Sequence, residues 1–247
     1  HTRTQKARIR AVKLSVLVPV YNEERTLEEV VRRVCGFQIP KEIILVDDGS
    51  EDQSRTILTR LQEENARAND PLNQIKVFFQ PVNQGKGAAI KTALSHVTGD
   101  IVLVQDADLE YDPKDYPSLL APIQAGQADV VYGTRFYGGG AHRVLFFWHY
   151  MGNLALTLIS NMLTNLNLSD MEVGYKVFRA ESVKGVNLKS NRFGFEPEIT
   201  VKLAKKRCRF YEVPISYHGR TYEEGKKITW KDGVAALYYL IRFRLAD

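Results

Sequence analysis

The sequence predicts an α/β protein with a doubly wound, mostly parallel central sheet and amphipathic helices at its C-terminal end. Three observations predict it. Short runs dense in Val and Ile recur through the first half, as strands buried on both faces require. Segments with apolar residues at helical spacing lie between them. The second half changes to long aromatic and aliphatic stretches broken by polar residues.

The first strand is expected at Leu14 to Val20, with Pro19 ending it. Leu27, Val30, Val31 and Val34 then repeat at helical spacing, and Thr26 and Glu29 are placed as a capping box. Ile43 to Val46 is the second strand, and Ile57, Leu58 and Leu61 mark the next helix. Ile75 to Phe79 is the third strand, followed by a helix marked by Ala89, Ala93, Leu94 and Val97. Ile101 to Val104 is the fourth. Strand alternating with helix gives a parallel sheet whose ligands bind beyond the carboxyl ends of its strands. Gly138-Gly139-Gly140 is then a break, and Val144 to Leu166 reads as a helical pair or one amphipathic helix. Phe210 to Tyr217 reads as a last strand, Gly219 to Lys227 as a charged loop, and Trp230 to Leu245 as an amphipathic helix. The expected division is an extension over 1–13, a catalytic domain over 14–227 and a terminal helix over 228–247.

Composition narrows the partners. Lys plus Arg number 34 and Asp plus Glu 29, a formal charge of +5. This mild excess suits nucleotides, lipid phosphates or an acidic bilayer face. It is too small to argue for nucleic acid, and no nucleic-acid-binding motif is visible. Cys35 and Cys208 have neither metal-ligand nor redox spacing, which points to a reducing, cytoplasmic setting. No run of eighteen apolar residues occurs.

Chemistry-bearing residues gather where strands end. Asp106-Ala107-Asp108 follows the fourth strand, with Glu110 just beyond. Alternate carboxylates there project toward the ligand crevice, and hard oxygen ligands suit Mg²⁺ or Mn²⁺ beside a diphosphate. A solvated acidic turn is the alternative. Pro19-Val20-Tyr21-Asn22-Glu23 offers a ring to stack on a base and a carboxylate for base or ribose; Asn22 could instead be a helix cap. Val46-Asp47-Asp48-Gly49-Ser50 can bond a base imide or a neighbouring cation, with capping by Ser50 or Asp52 as the simpler role. Gly85-Lys86-Gly87 opens a helix and suits a phosphate, although its spacing is not that of a Walker loop.

In this order the motifs resemble family-two inverting glycosyltransferases of the A-type fold, and more closely the polyprenyl-phosphate sugar transferases. The resemblance runs from about Leu14 to about Lys227. It implies that Pro19, Tyr21, Glu23, Val46 and Asp48 hold the nucleoside, with Lys86 and Ala107 also in the donor site. It gives Asp106 and Asp108 the diphosphate and the metal, with Glu110 standing where relatives often carry Gln. Thr134-Arg135-Phe136 resembles a motif whose arginine grips phosphate with two parallel bonds. His218-Gly219-Arg220-Thr221-Tyr222 with Lys226 and Lys227 resembles a loop that closes over the donor and neutralises the leaving group. Arg143 is a candidate for the acceptor phosphate.

The resemblance therefore implies transfer of a hexose from a UDP- or GDP-sugar to a polyprenyl phosphate, by a protein resting on the inner face of a membrane through its two amphipathic segments. Those segments could equally be core-covering helices. A phosphate acceptor needs no general base. If the acceptor is instead a hydroxyl, a base must take its proton, and Glu172 or Asp170 stands where related enzymes place acceptor-side acids. A catalytically silent nucleotide-sugar binding module is the reading from another class.

Overall fold

In a computed structural model, residues 12–136, 143, 144, 146–192, 194–221, 223 and 230–246 are described. Strands and helices alternate as β1 (Leu14–Val20), α1 (Leu27–Gly36), β2 (Lys41–Asp47), α2 (Ser54–Ala68), β3 (Asn73–Phe79), α3 (Lys86–Ser95) and β4 (Ile101–Val104). One 3₁₀ turn, Pro113–Asp115, leads into α4 (Tyr116–Gln124). Then come β5 (Val130–Thr134), α5 (Phe147–Thr164), β6 (Lys176–Arg179), α6 (Ala180–Val183), α7 (Phe195–Lys205), β7 (Phe210–Pro214) and α8 (Trp230–Leu245).

The strands form one sheet in the order β3-β2-β1-β4-β6-β5-β7. β6 runs antiparallel to both its neighbours, and the other pairings are parallel. The central strands β2, β4 and β5 are buried along their whole length, while β3 and β7 at the edges are partly exposed. That difference follows from sheet position: an interior parallel strand is covered on both faces. The α/β, mostly parallel architecture expected from the sequence is the one observed.

The chain winds outward from β1 in both directions, to β2 on one side and β4 on the other. The loops leaving β1 and β4 therefore diverge at the topological switch point, where sheets of this kind open a crevice. All the parallel strands end at the same edge. β6, being antiparallel, begins there, with Lys176 opposite Val104 and Tyr132.

Several local expectations are corrected. β1 continues through Pro19, which pairs with Val46 in register. Thr26 makes no capping bond. Its hydroxyl donates instead to the Ala107 carbonyl at 2.7 Å, and Glu29 pairs with Arg32 and Arg33. Within the segment from Val144 to Leu166, Phe147–Thr164 forms a single helix, α5. α8 packs on α5 and α7, burying Leu240 and Phe243 in the common core. The break at 138–140 lies outside the described residues.

Candidate functional site

The exits of β1, β2 and β3 are stitched together by hydrogen bonds. The Asn22 amide donates to Ser50 Oγ, and the Asn22 side chain accepts from the Glu51 amide. Asp48 is 2% exposed, and its two oxygens accept the Gln84 and Gly85 amides at 2.9 and 2.7 Å. Burial pushes its carboxyl up. Asp47 accepts the Gly49 amide and pairs with Arg55. Thus Asp48 braces the entrance to α3, and Tyr21 and Glu23 are half-buried just beyond the end of β1. Gly85, with φ +106°, needs the freedom of glycine, because a Cβ there would lie 2.4 Å from the Asn191 carbonyl.

The acidic pair meets two cations from distant parts of the chain. Lys86 Nζ lies 2.8 Å from Asp106 Oδ1 and 3.0 Å from Glu196 Oε1. Arg220 reaches Asp108 at 3.1 Å, Glu23 at 3.4 Å and Glu110 at 3.6 Å. Glu110 also accepts the Arg220 amide at 2.9 Å and the Tyr217 hydroxyl at 3.1 Å. Four predicted residues, Glu23, Asp108, Glu110 and Arg220, therefore form one cluster. Between the acids, Leu109 has φ +63°. A non-glycine residue there costs on the order of 1–3 kcal/mol and persists where its surroundings demand it.

Electrostatics shows what this cluster lacks. Burial, then the charges of Asp106 and Glu110, push Asp108 up to about 7, and Arg220 offsets only part of that rise. Burial disfavours the charged Lys86, yet Asp106 and Glu196 hold its pKa well above the usual lysine value. Among the described residues no three His, Cys, Asp or Glu side chains form a ready metal cage. The donors that Asp106, Asp108 and Glu110 offer are nonetheless hard oxygens short of positive charge. The guanidinium among Glu23, Asp108 and Glu110 stands in for a cation. The residues fit Mg²⁺ or Mn²⁺. Gly174 allows close packing here: a Cβ would meet Asp106 Oδ2 at 2.2 Å.

Arg135 stands at the end of β5. Its Nε and Nη2 bond the two Asp170 oxygens at 2.6 and 2.7 Å, and its guanidinium lies 5.1 Å from the centre of the Tyr217 ring. Asp170 is fully buried, and although burial favours its neutral form, Arg135 holds its pKa below the usual value. It is thus committed to the arginine. Glu172 is different: its Oε1 is buried with no hydrogen-bond partner. Burial, then Glu196, push it up to about 8, so it is mostly protonated at neutral pH. Lys176 beside it donates to the Met171 and Val173 carbonyls and lies over the Tyr132 ring.

Arg143 donates to the Gly219 carbonyl at 3.0 Å, which ties the exit of the glycine run to the loop of Arg220. Lys226 and Lys227 lie outside the described residues. Sequence reasoning missed Glu196 and Gln105, and gave Thr26 a capping role in place of its bond to Ala107. Glu196 sits in the first turn of α7 with one oxygen on Lys86. Gln105 accepts the Tyr116 and Tyr175 hydroxyls and donates to the Asp106 carbonyl, fixing the start of the acidic motif. An acid in a helix's first turn was a visible signal for Glu196; nothing in the sequence marked Gln105.

Comparison with known proteins adds independent findings. The sequence model described as Glycosyl transferase family 2 matches residues 15–186, well over half of the chain. The chain is 29% identical over 218 residues to undecaprenyl-phosphate 4-deoxy-4-formamido-L-arabinose transferase of Sodalis glossinidius (strain morsitans), covering 87% of this chain and 62% of that protein. It is 28% identical over 225 residues to dolichol-phosphate mannosyltransferase of Pyrococcus furiosus, covering 87% of this chain and 59% of that protein. The chain thus spans about three-fifths of the length of these relatives. Among solved structures, glucosyl-3-phosphoglycerate synthase from Mycobacterium tuberculosis, in complex with Mn²⁺, uridine diphosphate and phosphoglyceric acid, superposes with a TM-score of 0.68 at 21% identity. That match covers 96% of this chain and 80% of the other, and it establishes the likeness of fold.

Proposed function

The chain belongs to glycosyl transferase family 2, and from that premise we propose that it moves a hexose from a UDP- or GDP-sugar to a polyprenyl phosphate, inverting the anomeric carbon. The observation that carries the reading is one edge of the sheet. There the acid pair Asp106 and Asp108, the cations Lys86 and Arg220, and the planar Arg135 are delivered by separate loops. A donor diphosphate needs the first two groups and an acceptor phosphate needs the third. The relatives named as acting on undecaprenyl phosphate and dolichol phosphate support that acceptor.

In this mechanism Tyr21 and Glu23 receive the nucleoside, and Asp106, Asp108 and Glu110 would hold Mg²⁺ or Mn²⁺. That ion, when bound, supplies positive charge to the diphosphate as a Lewis acid. Arg220 leaves its carboxylates for the diphosphate and stabilises the charge that grows on it, an interaction strongest in the transition state. Arg135 orients the acceptor phosphate. An oxygen of that phosphate attacks the anomeric carbon as the bond to the diphosphate breaks, and nucleoside diphosphate departs. No base is required, because a phosphate monoester with a second pKa of about 6 is already largely ionised. The protonated state of Glu172 agrees with this.

The acceptor's lipid chain needs an apolar surface. Trp148, Phe147, Leu158 and Met162 on α5 are 60% exposed or more, and Tyr238 and Leu245 are exposed on α8, with Arg242 and Arg244 in its last turn. Among the described residues no helix is long and apolar enough to cross a membrane. Two adjacent helices of this composition suit attachment to the surface of a bilayer containing anionic lipid, on its cytoplasmic side.

The test supplies labelled UDP- and GDP-sugars with Mn²⁺ and a short prenyl phosphate, beside the same prenol without phosphate. Label on the prenyl phosphate alone is the expected result. Label on the prenol, or transfer to neither, overturns the proposal.

A further inference from the structure

α5 has two opposite faces, and only the outward one is used by the reading above. Phe147, Trp148, Met151, Leu158 and Met162 point outward. Asn153, Thr157 and Asn161, spaced four residues apart, lie together on the other side of the same helix. Each of these three bonds the loop that carries Asp170. Asn153 Nδ2 donates to Asp170 Oδ1 at 3.1 Å, and Thr157 Oγ1 accepts the Met171 amide at 3.1 Å. Asn161 closes a reciprocal pair with Leu168, accepting its amide at 3.0 Å and donating to its carbonyl at 2.7 Å. Thr157 Oγ1 also donates to Asn153 Oδ1, which fixes the amide so that its NH₂ faces Asp170.

The Asp170 oxygen that takes this bond also takes Arg135 Nη2, and the other takes Arg135 Nε and, at 3.3 Å, the Arg135 backbone amide. Asp170 is fully buried and Arg135 nearly so. The guanidinium is thus bonded to Asp170, and Asp170 to α5. We propose that Asn153 is a positioning residue for Arg135, acting through Asp170, so that the helix with the outward aromatic face sets the arginine that orients the acceptor phosphate. The arginine's task rests on the function proposed above, whereas the mechanical link does not.

This link gives the zipper a purpose that packing alone does not require. An apolar face needs only an apolar floor, whereas three polar side chains on one loop fix the helix in a single register. A displacement of α5 on meeting a lipid surface is then carried to Arg135 and not absorbed by sliding.

Asn153→Asp tests the proposal, because it keeps the shape and replaces the donor with a carboxylate facing Asp170. Asn153→Ala, which removes the donor without adding charge, is the companion. Two readouts are taken after thermal melting shows the variants folded. Hydrogen exchange reports on the Arg135 and Met171 amides, and calorimetry reports on binding of a short prenyl phosphate and, separately, of nucleoside diphosphate with Mn²⁺. The expected result is faster exchange at Arg135 and prenyl phosphate affinity about tenfold weaker, as for losing one bond to a charged group, with nucleotide affinity unchanged. Unchanged exchange at Arg135 in both variants overturns the link, whatever the acceptor. A uniform loss of both affinities that follows a lower melting temperature also overturns it. If exchange quickens but wild-type protein binds no prenyl phosphate, the link stands and the acceptor reading fails.

Discussion

Arg220 places its guanidinium 3.1 Å from Asp108, so the cation of one loop stands against the acid pair that follows β4, where the proposed metal ion would bring its charge. Arg220→Ala removes that competitor. The variant is expected to bind Mn²⁺ more tightly than wild type in the absence of nucleotide, yet to lose about 10²-fold in turnover because leaving-group charge goes unstabilised. Mn²⁺ titration followed by paramagnetic resonance, together with steady-state kinetics, checks both. Weaker metal binding in the variant would show that Arg220 supports the cation site and does not stand in for the ion.

The pH dependence of that binding follows from Asp108. Burial and its acidic neighbours raise it to about 7, so protons compete with the ion across the neutral range. A ligand oxygen must be deprotonated, and affinity of the nucleotide-free protein for Mn²⁺ should therefore rise between pH 6 and pH 8. A flat profile contradicts the assignment of Asp108 as a ligand.

Lys86 is the only described side chain shown bridging Asp106 and Glu196. Lys86→Met leaves two poorly solvated carboxylates facing each other and should lower stability by about 3 kcal/mol. Mn²⁺ should then raise the melting temperature of the variant more than that of wild type, since the ion supplies part of the missing charge. Equal shifts in the two proteins would place the ion elsewhere.

Glu172→Gln separates the acceptor classes. Gln resembles the protonated carboxyl that burial and Glu196 maintain at neutral pH. With a phosphate acceptor the variant should keep its turnover within about threefold at pH 7. A base required by a hydroxyl acceptor contributes about 10²-fold or more, and a loss of that size would identify one.

Glu42, at the far edge of the sheet, is a structural acid. It is fully buried and accepts from Ser15, Thr98, Gly99, Lys13 and Lys76. Burial raises its pKa, but these bonds win and hold it at about 2. Its folded value lies below the unfolded one of about 4.3, so its contribution is complete above that pH and is lost as pH falls toward 2. Glu42→Gln should cost about 3 kcal/mol at pH 7, and less at pH 3. Denaturant unfolding at both values measures the gap; a gap that widens on acidification contradicts the ion-pair account.

β1, β2 and β4 were legible because they are buried on both faces and read as nearly continuous apolar runs, the edge strand β3 because Ile75, Val77, Phe78 and Phe79 crowd its end, and the acid motif because it follows β4. β6 escaped notice for a physical reason. Its four residues, Lys176 to Arg179, begin with a lysine that is fully buried by donating to two carbonyls and lying over Tyr132. Thr26 was misread as a cap because its hydroxyl is drawn to Ala107, 81 residues away. Glu196, Gln105 and Asn153 act through partners that only the folded chain brings near, whereas Asp108, Glu110 and Arg220 were marked by motifs of their own. Motifs at strand ends survive in sequence; the side chains that hold them in place do not.

The central claim is that Asp106 and Asp108 seat the cation that tethers a sugar-bearing diphosphate. Calorimetric titration of UDP and GDP, each with and without Mn²⁺, into wild type, Asp106→Asn and Asp108→Asn tests it most directly. One nucleotide should bind the wild type only with the ion, and both variants should lose that Mn²⁺-dependent binding by about 10²-fold while melting normally. Equal nucleotide affinity in all three proteins, or binding indifferent to Mn²⁺, would contradict it.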